Sequence, residues 1–230
     1  MKKTLACGLP ALGLALSENT QAALCAFGEA VVEQNKVMNL TAITEPSQVA
    51  KLHLLDSLTL LTLEDLKGKR IIDVGCGAGV PGVPVKIACP EAELTLLDSL
   101  GKRLQWLETV LPTLGVKAEC LTARAEEAVA TRRESYDFAT SRAVARLNIL
   151  LELTAPYVKV GGKILAMKGA AALDELEEAK NAISRLGLKL EKVAEFPIDG
   201  AIHRVIVLKK VAPTPPKYPR RYAKIKQEPL

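Results

Sequence analysis

Arg70-Ile-Ile-Asp-Val-Gly-Cys-Gly-Ala-Gly-Val-Pro-Gly82 is the stretch whose reading decides the fold. Ile71, Ile72 and Val74 make the apolar run of a buried strand. The glycines at 75, 77, 79 and 82 make a turn in which backbone N–H groups can approach a bound nucleotide before a helix begins. Gly77-Ala-Gly79-Val-Pro-Gly82 also fits the G-x-G-x-x-G of dinucleotide-binding folds, a weak signal by itself. Asp73 tilts the reading elsewhere. A carboxylate at the strand end repels a pyrophosphate in a partly dry cleft and favours a cation.

Outward from this turn, after Lys67-Gly68-Lys69, the chain alternates strand and helix. Strands are expected over 70–74, 94–98, 117–121, 136–140 and 163–167, with helices over 80–88, 101–114, 126–131 and 145–157. Such alternation implies a mostly parallel sheet covered on both faces. A helix over 172–186 ends at Gly187, and strands over 189–196 and 203–210 follow. The short link Pro197-Ile-Asp-Gly200 between them permits only an antiparallel hairpin. An α/β, Rossmann-like sheet of five parallel strands plus a C-terminal hairpin is the seven-stranded sheet of S-adenosylmethionine-dependent methyltransferases. Upstream, Leu24, Phe27 and Val31 mark a helix over 17–36 capped by Ser17 or Asn19. Pro46 opens a second helix through Leu61, with Val49, Leu52, Leu55 and Leu58 on one face. The division expected is an N-terminal helical cap (1–66), a methyltransferase domain (67–211) and a basic C-terminal tail (212–230).

With 230 residues, 49% of them hydrophobic, the chain can fill one substantial core. The formal charge of +5 is a mild basic bias concentrated at the end, where Lys209, Lys210, Lys217, Arg220, Arg221, Lys224 and Lys226 face only Glu228. Ala212-Pro-Thr-Pro-Pro216 reads as a stiff extended linker to this tail. The tail reads either as a phosphate-contacting segment or as a solvated terminus. The five cysteines are odd in number and form no CxxC pair, and the histidines number two. Neither a disulfide scaffold nor a metal site is expected, and a reducing cytoplasm fits. Met1-Lys2-Lys3 and the apolar stretch after it have the outline of a secretory signal, but Gly8, Pro10 and Gly13 interrupt it. A cytoplasmic chain is the expectation, and no other run is long enough to span a bilayer.

In open α/β sheets ligands sit beyond the carboxyl ends of the strands. Gly75, Gly77 and Gly79 let the chain pass close beneath a cofactor, and Asp73 suits the sulfonium and amino group of S-adenosylmethionine. Asp98, which ends the second strand 23 positions beyond Gly75, is placed to accept hydrogen bonds from ribose hydroxyls, with Ser99 beside it. A helix cap is its competing role. Arg124-Ala125-Glu126 follows the third strand, where the adenine would lie, although Glu126 also reads as an ordinary first-turn acid. Arg124, Arg142 and Lys168 fall at successive strand ends and together suggest an anionic substrate. His53 and Asp56, one helical turn apart, either reach the same mouth or simply polarise their helix.

Gly75 to Gly82 followed by Val83-Pro84, together with Leu97-Asp-Ser-Leu-Gly-Lys-Arg103, Thr140-Ser-Arg-Ala143, Asn39-Leu-Thr-Ala-Ile-Thr44 and His53-Leu-Leu-Asp-Ser57, resembles the RsmG (GidB) methyltransferases. The likeness runs from about Asn35 to Tyr218. It implies methylation of guanine N7 at nucleotide 527 of bacterial 16S ribosomal RNA, with S-adenosylmethionine as donor. It further implies cofactor contacts at Gly75, Val80, Ala125-Glu126 and Arg142. The first sixteen residues, and the tail after Arg220, depart from the family's pattern.

Such a reaction needs no catalytic residue in the acid–base sense. Guanine N7 carries a lone pair and no hydrogen, so alignment and desolvation supply most of the acceleration, up to roughly 7–11 kcal/mol. Cys76 reads as a packing residue. The expected substrate is 16S RNA or the small ribosomal subunit, met by a monomer with no membrane association. Two other readings stay open: a methyltransferase acting on a different RNA, a protein or a small molecule, and a dinucleotide-dependent oxidoreductase using Gly77 to Gly82. A non-catalytic RNA-binding module is disfavoured by aromatic residues at 3%, which leave few stacking platforms.

Overall fold

Strand β1 (Arg70–Val74) is buried at every position but its first, and the sheet is built outward from it. It pairs in parallel with β2 (Glu93–Asp98) and with β4 (Tyr136–Arg142). β3 (Glu119–Thr122) extends the sheet beyond β2, and β5 (Val158–Lys168) lies beside β4. The antiparallel pair β6 (Leu188–Ile198) and β7 (Ala201–Lys210) completes the order β3-β2-β1-β4-β5-β7-β6. The computed structural model describes all residues from Met1 to Leu230. Five parallel strands and the terminal hairpin are thus as expected, with β3 displaced by two residues at its start and β4 and β5 longer.

Strand residues alternate between two cores. Ile71, Leu94, Leu96, Phe138, Leu165 and Val207 face one; Ile72, Val74, Leu97, Ala139, Ile164 and Ile206 face the other. The first core is covered by α1 (Lys2–Ala11), α2 (Glu18–Met38), α3 (Pro46–Val49), α4 (Asp56–Leu58), α5 (Gly82–Ala88) and α6 (Gly101–Thr113). The second lies under α7 (Ala125–Ala128), α8 (Leu147–Thr154), α9 (Ala172–Glu178), α10 (Lys180–Arg185) and α11 (Tyr222–Gln227). The helix expected over 172–186 is therefore two helices broken at Ala179.

The N-terminal helices share one continuous core with the sheet. Ser17 caps α2, its Oγ accepting from the Thr20 N–H at 3.1 Å. Glu45 caps the next helix, taking the Ser47 and Gln48 N–H groups at 3.0 and 2.8 Å. That helix is not uniform. Between α3 and α4 it widens into a π-helical stretch, Ala50–Leu55, and after α4 it tightens to a 3₁₀ turn, Thr59–Thr62. The signal-like opening is α1. Leu5 and Leu9 are buried in the first core and contribute roughly 3–6 kcal/mol of transfer free energy between them.

Of the two readings of the C-terminal tail, the solvated terminus is excluded, because the segment packs on the body of the fold. Tyr218 and Leu230 are buried in the second core. Glu152 of α8 is fully buried and needs a cation. Arg220 supplies it through a two-pronged pair, Nε to Oε1 at 2.8 Å and Nη2 to Oε2 at 2.6 Å, with its backbone N–H also donating to Oε1. Arg133 donates to the Thr214 and Tyr218 carbonyls. The segment is a strap, and one of its cations is spent on holding it down.

Candidate active site

The strand order reverses between β1 and β4, and such a switch point opens a cleft at the strands' carboxyl ends. A cavity of about 980 Å³ lies there, lined among others by Thr41, His53, Gly75, Gly77, Arg142 and Lys168. The turn after β1 forms its floor. The N–H groups of Gly75 and Cys76 donate to Leu97 O at 2.7 and 3.1 Å, tying the turn to the end of β2. Gly75 has φ +73°, and a Cβ there would stand 2.4 Å from Val144 Cγ2, so only glycine serves.

Asp73 does not line this cavity. It is fully buried beneath the turn, where Oδ2 accepts the Gly82 N–H at the start of α5 at 2.9 Å. A Cβ on Gly82 would sit 2.9 Å from that oxygen. Oδ1 has no partner, and burial pushes the carboxyl up to about 7. The acid read from the sequence as a cofactor contact is instead the brace of the strand–helix junction. Gly79, also expected at the cofactor, packs toward Val83 and Leu107, outside the cavity lining.

Asp98 is nearly buried and braces backbone at the end of β2. Oδ2 accepts the Gly77 N–H at 2.9 Å and Oδ1 the Leu100 N–H at 2.8 Å, bracing the turn and the entry to α6. Acceptor capacity remains on both oxygens. Ser99 beside it is exposed, and Val80 lines the cavity. Ala125 and Glu126 open α7, half-buried and outside the cavity lining, with the Ala125 carbonyl accepting from Tyr157 Oη at 2.6 Å. Arg124 is exposed, its guanidinium 6.0 Å from the Tyr222 ring centre.

Two of the three cations expected to attract an anion, Lys168 and Arg142, have acidic partners within the chain. Lys168 Nζ lies 2.8 Å from Glu175 and donates to the Ala145 carbonyl, while Glu175 also takes the Leu147 N–H that starts α8. Arg142 reaches the N-terminal helices. Nη1 donates to Leu52 O, within the π-helical stretch, and to Asp56 Oδ2 at 3.2 Å; Nη2 lies 2.7 Å from His53 Nδ1. The other Asp56 oxygen is 2.9 Å from His203 Nδ1 on β7. His53 Nε2 in turn lies 2.9 Å from Thr41 Oγ1. His53 and Asp56 thus do face the mouth. Burial and the Arg142 guanidinium push His53 down to about 4, so it is neutral. Burial raises the Cys76 thiol well above its ordinary range. The sequence reading did not place His203 or Arg103 at this mouth. His203 stands 147 positions from its partner Asp56, and no local pattern spans that gap.

These residues fit S-adenosylmethionine. The turn offers bare backbone to the cavity, Asp98 stands behind the lining residue Gly77 with spare acceptors, and the volume suits a nucleoside and a base together.

Residues 20–203 match the family described as GidB, rRNA small subunit methyltransferase G. A ribosomal RNA small subunit methyltransferase G from Desulfitobacterium hafniense is 45% identical over 209 residues, covering 89% of this chain and 87% of the relative. One from Alkaliphilus metalliredigens is 40% identical over 235 residues, covering 100% and 98%. Among solved structures, TrmN from Thermus thermophilus superposes with a TM-score of 0.55 at 20% identity, over 68% of this chain and 48% of that one. TYW2 from M. jannaschii, in complex with AdoMet, gives 0.53 at 14% identity, over 65% and 72%. At those identities the structures speak for the fold alone. The sequence relatives go further, and with a match over most of its length the chain belongs to the rRNA small subunit methyltransferase G (GidB) family.

Proposed function

We propose that this chain transfers the methyl group of S-adenosylmethionine to N7 of guanosine 527 in 16S ribosomal RNA. Family membership supports the class of reaction and of RNA; the target atom and nucleotide rest on the motif resemblance and on the chemistry of the cavity. The observation that carries the reading is that the cavity holds no thiol fit to form a covalent bond, while a proton acceptor that it does hold, His203 paired through Nδ1 with Asp56, is one that the reaction leaves unused. Cys76 is a buried thiol of raised pKa, and the Nδ1 lone pair of His53 is occupied by Arg142. Guanine N7 asks for neither service. Attack by an amino nitrogen would release a proton, and attack by carbon would need an activated ring.

When bound, S-adenosylmethionine supplies a methyl group on a sulfonium, an electrophile that needs no activation. The chain's own part is to hold, orient and dry the reactants. Gly75, Gly77, Val80 and Asp98 would hold the donor, with Ser99, Ala125 and Glu126 at its border. Arg142 fixes His53 and Asp56 and thereby the wall against which the base would lie. We take the protein to act as a monomer in the cytoplasm; no helix is long and apolar enough to cross a membrane.

Deleting the gene and treating 16S RNA with borohydride and aniline, which cleaves at N7-methylguanosine, tests this reading. Loss of cleavage at nucleotide 527, restored by the gene in trans, is expected. Persistent cleavage refutes the target. The competing reading, a small acceptor, would be favoured by methyl transfer that survives ribonuclease treatment of the extract.

A further inference from the structure

Thr41 lies in the loop between α2 and α3 and lines the cavity. Its backbone is fixed from behind, the N–H donating to Asn35 Oδ1 at 2.8 Å. Its hydroxyl oxygen accepts the Ile43 N–H at 3.0 Å and lies 2.9 Å from His53 Nε2. The direction of that second bond follows from the other side of the imidazole. Nδ1 stands 2.7 Å from Arg142 Nη2, which can only donate, and 3.2 Å from the Leu52 carbonyl, which can only accept. That carbonyl already takes Arg142 Nη1, and a hydrogen on Nδ1 would oppose the guanidinium at the shorter distance, so Nδ1 is the bare acceptor. In the neutral ring the proton is then on Nε2, which donates to Thr41. His53 stays neutral through the physiological range, with a pKa of about 4.

Both lone pairs of the Thr41 oxygen are therefore filled by donors. What remains is its own proton, for which the chain offers no acceptor, on a residue that faces the cavity. We infer that Thr41 is a specificity-determining residue whose hydroxyl, constrained to act as a donor, recognises a carbonyl oxygen on the target base and rejects an amino group in its place. On the proposed guanine-N7 reading, on which this rests, that oxygen is O6. Guanine presents O6 and N7 side by side as acceptors, where adenine presents an N6 donor beside N7. A donor on O6 withdraws electron density from the ring, so it does not speed attack by N7; it positions the base and selects it. The relay Arg142–His53–Thr41 is thus a device for setting the direction of one hydrogen bond.

The test uses small ribosomal particles reconstituted with 16S RNA that carries guanine, hypoxanthine or 2-aminopurine at nucleotide 527. Hypoxanthine keeps O6, whereas 2-aminopurine keeps N7 but has hydrogen at position 6. The wild-type protein is expected to methylate guanine and hypoxanthine at similar kcat/KM, and 2-aminopurine on the order of 10–100-fold less efficiently, as fits one lost hydrogen bond. Thr41→Val should reduce guanine methylation and bring the guanine to 2-aminopurine ratio close to unity. Thr41→Ser, which keeps the hydroxyl, should restore the preference. Equal wild-type rates on guanine and 2-aminopurine overturn the inference, as does a Thr41→Val protein that keeps the full preference. If the wild type leaves the guanine particle unmethylated, the proposed target falls and the inference falls with it.

Discussion

Acidification should destabilise the folded chain through His53, by an amount that its surroundings set. Burial and the guanidinium of Arg142 hold its pKa at about 4, against an ordinary 6.5. Below 6.5 the unfolded chain takes up a proton that the folded chain still refuses. The stability contributed by this group is therefore complete above 6.5 and is lost as the pH falls through 4. The shift amounts to roughly 3 kcal/mol. Asp73 acts in the opposite sense, since its pKa is raised from 3.8 to about 7 and its contribution is lost as the pH rises. The wild-type profile alone therefore mixes the two. The assay is urea unfolding of the wild type and His53→Gln in parallel, between about pH 8 and pH 4.5, with the difference isolating the histidine. The wild type's stability relative to the variant should decline steadily below pH 6.5, and nitrogen-detected NMR should show the proton on Nε2 throughout. A difference that stays constant with pH, or a protonated Nδ1, refutes both the electrostatics and the Thr41 argument built on it.

Other perturbations probe the rest of the architecture. Arg220→Ala strands the fully buried Glu152 carboxylate and should cost roughly 3 kcal/mol in urea unfolding; an unchanged midpoint would mean that the strap does not hold. Gly75→Ala forces a side chain into left-handed backbone at roughly 1–2 kcal/mol and crowds Val144, so calorimetry should show weakened S-adenosylmethionine binding. Arg221 and Lys226 are exposed and without ion-pair partners, so each alanine variant should lower the salt slope of RNA binding by about one unit. Lys224, paired with Glu228 at 2.6 Å, should contribute less to that slope.

What the sequence disclosed and what it hid divide along a physical line. Ile71, Ile72 and Val74 with the glycines behind them are a local pattern, and the strand–turn–helix they announce is where it was expected. The hairpin was legible because Pro197-Ile-Asp-Gly200 is too short for anything else. Partnerships across the fold were not. Asp73 carries the same letter whether it faces a ligand or braces Gly82 from below, and only the three-dimensional path of α5 decides. The tail read either as a phosphate contact or as a solvated terminus because its cations are visible in the sequence, while the burial of Glu152, 68 positions from Arg220, is not. α1 hid behind Gly8 and Pro10, residues that oppose helix in isolation; burial of Leu5 and Leu9 outweighs them. The donor-only state of Thr41 depends on a chain of three residues from three separate segments, and no spacing rule reports it.

The account's central claim is that the turn at 75–77 holds a methyl donor with Asp98 at its side. A crystal structure with S-adenosylmethionine bound tests it most directly. The account predicts the donor against Gly75 and Gly77, its ribose hydroxyls on Asp98 and its methyl open to the cavity that Thr41 and Arg142 line. A donor lodged elsewhere, or a turn that excludes it and accepts NAD instead, would contradict the account.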